Sequence, residues 1–248
     1  MTYSQERCDS KLESERQLQN RVKYWLINDL HYEFLGSREN MNNTPVIEGL
    51  LRKNLRSRHY SEETITRAIY DLTSTAANQS LSLYQLNEKI YSLLRYGDMG
   101  VKDKDGHDVT VNYIDWKHIE ANDFHFAEEV TISLNETKRP DLVLYVNGIA
   151  LGMIELKNSR VSVGEGIRQM IRNQSGECIQ NFFGTVQILM AGNGSQGLRY
   201  GVIETPEKYY LTWREDERAE DSLSLKIRRE QSKERDILRD GIISLCHR

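Results

Sequence analysis

The stretch RPDLVLYVNGIALGMIELKN, residues 139–158, decides how this chain folds. Its charges sit only at its ends, as Pro140-Asp141 and then Glu155-Leu156-Lys157, and the two runs between them are apolar at nearly every position instead of alternating. A strand that is apolar on both faces is buried on both, with helices above and below. Asn147-Gly148, between the runs, is a strong hairpin signal. The hairpin returns Asp141 and Glu155 to the same open end, so two carboxylates meet at one edge of a buried sheet.

Side-chain parity adds a condition. A two-residue loop at Asn147-Gly148 pairs Asp141 with Ile154 and turns Glu155 to the other face. A three-residue loop Val146-Asn147-Gly148, with Gly148 left-handed in a G1 bulge, sets Asp141 opposite Met153, with Glu155 as its diagonal neighbour and Lys157 on the same face. The pattern therefore predicts the bulged loop or an equivalent strand bulge. Two close carboxylates repel, and burying them unpaired is costly. A hard divalent cation is the natural occupant: Mg²⁺, with Mn²⁺ as the alternative, held by Asp141 and Glu155. Such an ion activates a water and offsets charge on a phosphorane-like transition state, with Lys157 orienting or helping to deprotonate the water and countering the developing charge. Pro-Asp alone, or Glu-x-Lys alone, is common as a solvated strand end with a salt bridge. Their combination across one buried hairpin is much rarer and points to phosphodiester hydrolysis.

Outward from the hairpin, the spacing predicts helices on the N-terminal side. Leu18, Val22, Leu26 and Leu30 form one stripe after a Ser14–Gln17 capping box. Further stripes follow at Ile47, Leu50, Leu51 and Leu55; at Ile65, Ala68, Ile69 and Leu72 after Ser61; and at Leu83, Leu86, Ile90 and Leu93, stopped by Gly97. Beyond residue 100 the texture turns to strands, at Val109–Tyr113, 128–134, the hairpin itself, 185–191, 198–203 and 208–213, with an amphipathic helix over 164–174. The predicted fold is α/β: a mixed central sheet flanked by helices, with a mainly helical region over 14–100 and the catalytic core over 101–215. Residues 1–13 read as a tail. Residues 216–248, charge-dense with scattered Leu223, Leu225, Ile227 and Ile237, read as a second tail leading toward a further region.

At 248 residues, 28% charged and with a net charge of −4, the chain has no global basic footprint, so nucleic-acid contact must come from local patches or partners. Three scattered cysteines, Cys8, Cys178 and Cys246, indicate neither a disulfide framework nor a zinc site and fit a reducing cytoplasm. No segment has the roughly 18 apolar residues of a membrane span, so no membrane partner is expected. Gly192–Gly197 spells G-x-G-x-x-G, but it leads into another strand and fails the helix-opening context of a dinucleotide site. His118 and His125 lack metal-ligand spacing. Arg160, Arg168 and Arg172 lie just after the catalytic hairpin and are candidates for phosphate contact, with Lys102, Lys104 and Lys138 as weaker ones.

RPDLVLYVNGIALGMIELK followed by VSVGEGIRQMIRNQ resembles the PD-(D/E)xK nuclease domain at the N-terminus of type I restriction endonuclease R subunits. The segments SERQLQNRV, YSLLRYG, IDWKHIEANDFHFAEEVT and AGNGSQGLRYGVIETPEKYYLTW extend the likeness over residues 14–215. The resemblance implies a restriction-endonuclease-like fold and Mg²⁺-dependent cleavage of unmethylated DNA, in a complex with modification and specificity subunits. It implies Asp141 and Glu155 as metal ligands, Lys157 as the catalytic lysine and Gln169 as the glutamine of a Gln-x-x-x-Tyr element. The tyrosine position of that element is Asn173, a departure. A first-helix glutamate approaches the metal in related nucleases; Glu15 is the candidate here, though a favourable charge in a helix's first turn explains it better. R subunits continue into an ATP-driven motor. No G-x-x-x-x-G-K-[ST] loop occurs in this chain, so ATP is expected to act only through a motor region it lacks. A different PD-(D/E)xK nuclease, acting in repair or on RNA, and a non-catalytic docking module are the alternatives.

Overall fold

The computed structural model of the protein describes residues 13–103, 105–213, 226–227 and 236–247. Its centre is a seven-stranded sheet built on the two apolar runs. These form β7 (Leu142–Val146) and β8 (Ile149–Leu156), which pair antiparallel in the middle of the sheet. β4 (Phe124–Glu128) pairs antiparallel with β7, and β1 (Glu33–Ser37) closes that side parallel to β4. On the other side β9 (Ile188–Asn193) runs parallel to β8, followed by β10 (Gly197–Gly201) and the short β11 (Leu211–Thr212). One predicted strand shifts. The strand expected over 128–134 lies earlier, as β4, and residues 132–138 fold into a separate small hairpin of β5 (Ile132–Ser133) and β6 (Thr137–Lys138). β1 has no counterpart in the sequence reading, because Phe34 and Leu35 are too few apolar residues to mark a strand.

Both faces of the sheet are covered, as continuous apolarity requires. α5 (Val163–Asn173), which links the parallel strands β8 and β9, packs on one face with Val143, Tyr145, Met153 and Leu189. α1 (Glu15–Asn28) covers the other face with Phe126, Leu142, Ile154 and Leu156. α1 starts at the predicted Ser14–Gln17 capping box. A last helix, α6 (Ile237–Cys246), joins α1 on that face, where Arg239 pairs with Asp29 at 2.8 Å. This part of the expected tail therefore sits on the same core, whereas Leu223 and Leu225 fall outside the described residues.

The helical region forms its own core. α2 (Glu48–Ser57), α3 (Glu62–Ala76) and α4 (Leu83–Tyr96) pack with the hairpin of β2 (Asp98–Lys102) and β3 (Asp108–Val111). Ser61 and Ser82 cap α3 and α4, and Gly97 ends α4 at φ 82°. On the last turn of α4 Leu94 is the fully buried residue, and the predicted Leu93 packs half-buried against the same core. No described helix is long and apolar enough to cross a membrane.

Candidate active site

The register of β7 and β8 sets the site. Asn147 (φ 52°) and Gly148 (φ 82°) form a two-residue turn with both dihedrals positive, the type I′ pattern, so the expected three-residue loop is not what forms. The extra residue lies in the strand instead. Val146 pairs with Ile149 and Tyr145 with Ala150, but Leu144 pairs with Gly152, leaving Leu151 as a bulge. Beyond it Leu142 pairs with Ile154, so one further step places Asp141 opposite Glu155 itself, not opposite Met153. The bulge does what parity demanded: Asp141, Glu155 and Lys157 share the face that α5 covers.

Both strand ends are held by main-chain bonds. The Asp141 carbonyl accepts from the Glu129 N–H at 2.9 Å and from Gln19 Nε2 at 3.3 Å, and its carboxylate Oδ2 accepts from the Leu156 N–H at 2.6 Å. The Lys157 N–H donates to the Gly192 carbonyl at 3.0 Å, tying the end of β8 to β9. Glu155 is 3% exposed, and its Oε1 accepts from Lys157 Nζ at 2.6 Å.

The electrostatics follow from this geometry. Burial pushes the Glu155 carboxyl well above its ordinary range, the nearby charge of Asp141 pushes it further, and Lys157 only partly opposes. Asp141 is also raised, first by burial, against the pull of the Leu156 N–H and of Lys157. Burial works against the Lys157 ammonium, but Glu155, their hydrogen bond and Asp141 outweigh it, so its pKa is raised. Glu15, at the start of α1, adds negative charge against all three groups and accepts from the Asn158 N–H at 3.4 Å. Glu15 is thus the first residue of α1 and lies beside the segment that follows Lys157.

α5 seats directly on the acids because Gly166 has no side chain. A Cβ there would meet Glu155 Cγ at 3.3 Å, Ala191 Cβ at 3.4 Å and Lys157 Cγ at 3.6 Å. Gln169 lies one turn further on the same helix face, half-buried. Asn173, another turn on, is buried and its carbonyl accepts from the Ile179 N–H at 3.2 Å. Gly166 and the buried Gln19 escaped the sequence reading. The small residue facing a strand of acids is the one signal that pointed to Gly166, and nothing local marked Gln19.

The candidate cations divide. Arg160 and Arg172 are exposed, whereas Arg168 is held by Glu165 at 2.5 Å and Glu207 at 2.6 Å. Lys102 pairs with Asp108 and Lys138 with Glu136, and Lys104 lies outside the described residues. His118 is exposed beside Asp115, and buried His125 stands on β4 near the turn end of the hairpin, away from the acids. Asp103, Asp105 and His107 also gather potential ligand atoms, at the tip of the β2–β3 hairpin. There Asp103 Oδ1 already accepts the N–H groups of Asp105 and His107, each at 2.9 Å, which accounts for the cluster as turn chemistry.

A mixed seven-stranded sheet between helices, with an acidic pair at one end of its central hairpin, is a restriction-endonuclease-like architecture. The family model for the type I restriction enzyme R protein N terminus matches residues 13–208, and the chain belongs to that family. Among curated proteins it is similar to the "Putative type I restriction enzyme MjaVIIIP endonuclease subunit" of Methanocaldococcus jannaschii, 27% identical over 182 residues, which are 72% of this chain and 16% of the relative. It is also similar to the type I restriction enzyme SsaAORF53P endonuclease subunit of Staphylococcus saprophyticus, 27% identical over 99 residues, 39% of this chain and 10% of the relative. The chain thus matches only a small part of the length of these relatives.

Proposed function

We propose that this chain is the Mg²⁺-dependent DNA endonuclease domain of a type I restriction enzyme. In this reading it hydrolyses phosphodiester bonds of unmethylated foreign DNA in the cytoplasm. Its partners are DNA and the modification and specificity subunits, and ATP acts through a motor region not among these residues. The family and the relatives' description as endonuclease subunits support the nuclease class. One observation carries the site: Asp141 and Glu155 are brought opposite each other at a buried sheet end, with Lys157 on the same face.

The donor set fits a hard divalent cation. Both carboxyls are raised above their ordinary range, so their charged forms are disfavoured until a cation joins them. Asp141 and Glu155 are the ligands, with Glu15 near enough to add charge. When bound, Mg²⁺ or Mn²⁺ supplies Lewis acidity, lowering the pKa of a water and offsetting charge at phosphorus. Lys157 keeps its proton on Nζ and is placed to orient the attacking water and counter the charge that develops on the phosphate. Gln169, on the helix over the acids, steadies the substrate strand. Arg160 and Arg172 take phosphates, and Arg168 can join only after leaving Glu165 and Glu207.

A Mn²⁺ titration of this chain tests the site. Asp141→Ala and Glu155→Ala are expected to abolish binding, and binding unchanged in both overturns it. In the reconstituted complex, Asp141→Ala cleaving at the parent rate overturns the mechanism.

A further inference from the structure

In the turn between β9 and β10, which spells Gly192-Asn193-Gly194-Ser195-Gln196-Gly197, only the Gly192 carbonyl has entered the site so far. Asn193 is fully buried, and its side chain is used at both ends. Nδ2 donates to the Val161 carbonyl at 2.8 Å, while Oδ1 accepts from the Gln196 N–H at 2.6 Å, the Ser195 N–H at 3.1 Å and Ser195 Oγ at 3.2 Å. The turn is therefore wound around one buried amide that also grips the loop following Lys157. Gln196 then reaches across to α5, where its Oε1 accepts from the Val163 N–H at 2.7 Å. Val163 is the first residue of α5, and its N–H is one of the orphan donors of a helix start. Ser162 Oγ serves the next one, Gly164, at 3.2 Å. One turn along is Gly166, seated on Glu155 and Lys157.

We propose that Gln196 is a positioning residue of the acidic site: held in place by Asn193, it anchors the first turn of α5 and so sets how closely that helix sits on Glu155 and Lys157. The acids themselves hang on the sheet ladder, but the wall over them does not. Its first turn is fixed by this hydrogen bond and the Ser162 cap, while its apolar residues pack on the sheet. The Gly-rich turn that fails as a nucleotide fingerprint thus acts as a bracket between β9 and the segment leading from Lys157 into α5. This inference rests on the metal-site reading of Asp141 and Glu155.

The test is Mn²⁺ affinity, measured by calorimetry on this chain with Gln196→Ala, Gln196→Glu and Gln174→Ala. Gln196 is exposed, so its replacement leaves the core intact. Gln196→Ala is expected to weaken Mn²⁺ binding by about tenfold, the scale seen when a partner behind the metal ligands is lost. Gln196→Glu keeps an acceptor for the Val163 N–H and is expected to restore the affinity. Gln174→Ala removes a comparable bond at the far end of α5, from the Glu204 N–H at 2.6 Å, and is expected to leave Mn²⁺ binding unchanged. Parent affinity in Gln196→Ala, while Asp141→Ala abolishes binding, overturns the positioning role alone. An equal loss in Gln174→Ala overturns it too, because the effect is then general loosening of the helix. Binding unaffected by Asp141→Ala and Glu155→Ala overturns the site reading and this proposal with it.

Discussion

The two ends of the β7–β8 hairpin are both buried, yet they treat polar groups in opposite ways. At the turn end every polar group of the Asn147 side chain is satisfied. Its Oδ1 accepts from the Asp123 N–H at 2.7 Å, and its Nδ2 donates to the Tyr113 carbonyl and Asn122 Oδ1, each at 2.8 Å. The main chain adds bonds from the Ile47 N–H to the Gly148 carbonyl and from the Ala150 N–H to the Pro45 carbonyl. At the open end two carboxyls share one lysine, and burial disfavours the charge of both. The turn end therefore stabilises the fold, while the open end stores unfavourable electrostatics that the proposed cation would relieve. Buried carboxyls pushed above their ordinary range are the kind of feature that recommends the open end as a candidate site.

Substitutions at the two ends should separate function from stability. The largest effect is expected from Asp141→Asn, which keeps an acceptor for the Leu156 N–H but loses a ligand charge. Cleavage by the reconstituted complex should fall on the order of 10³-fold with thermal stability held or raised. A matching loss of stability would erase the contrast. Gly148→Ala should do the reverse. A Cβ there meets the Ile47 carbonyl oxygen at 2.7 Å and Leu50 Cβ at 2.8 Å, at a positive φ. Urea unfolding should show a loss on the order of 3 kcal/mol, with Mn²⁺ affinity of the remaining folded chain unchanged.

The open end also predicts a pH signature. Because the folded Glu155 carboxyl titrates above its ordinary 4.5, its contribution to stability is greatest below that value and is lost as pH rises through the raised folded value. The metal-free chain should weaken over this window. Glu155→Gln should flatten the decline, and Mn²⁺ should bind more tightly as pH rises because it displaces protons. Urea midpoints from about pH 4 to 9, with and without Mn²⁺, check both signs. The smallest effects belong to the surface beside the open end. Arg160→Ala and Arg172→Ala should each lower the salt slope of DNA binding by about 1, with a smaller change for Arg168→Ala, whose guanidinium is already paired.

Legibility of the sequence followed the range of the interactions. Caps and stripes are local, so Ser14 and Ser61 start their helices and Gly97 ends its own much as the spacing predicts. β4 was misplaced because FHFAE carries a buried histidine and a buried glutamate whose partners come from elsewhere. Glu128 is held by Lys23 at 2.8 Å and Arg16 at 3.1 Å, and both belong to α1. Parity showed that a bulge was needed but not where, since a one-residue shift in the loop or in the strand satisfies the same face count. The choice fell to Leu151, where Gly152 packs against Leu144 and Ile188 and the Leu151 carbonyl accepts from the Gln187 N–H at 2.8 Å.

By itself the sequence determined the doubly covered hairpin, the candidate trio Asp141, Glu155 and Lys157, and the helices around them, because strand apolarity and helix caps act over a few residues. Only the tertiary structure decided that Asp141 lies directly opposite Glu155, that Gly166 lets α5 rest on the acids, and that Asn193 and Gln196 bracket that helix. Those outcomes depend on register and on contacts between segments far apart in the chain, and no local pattern encodes either.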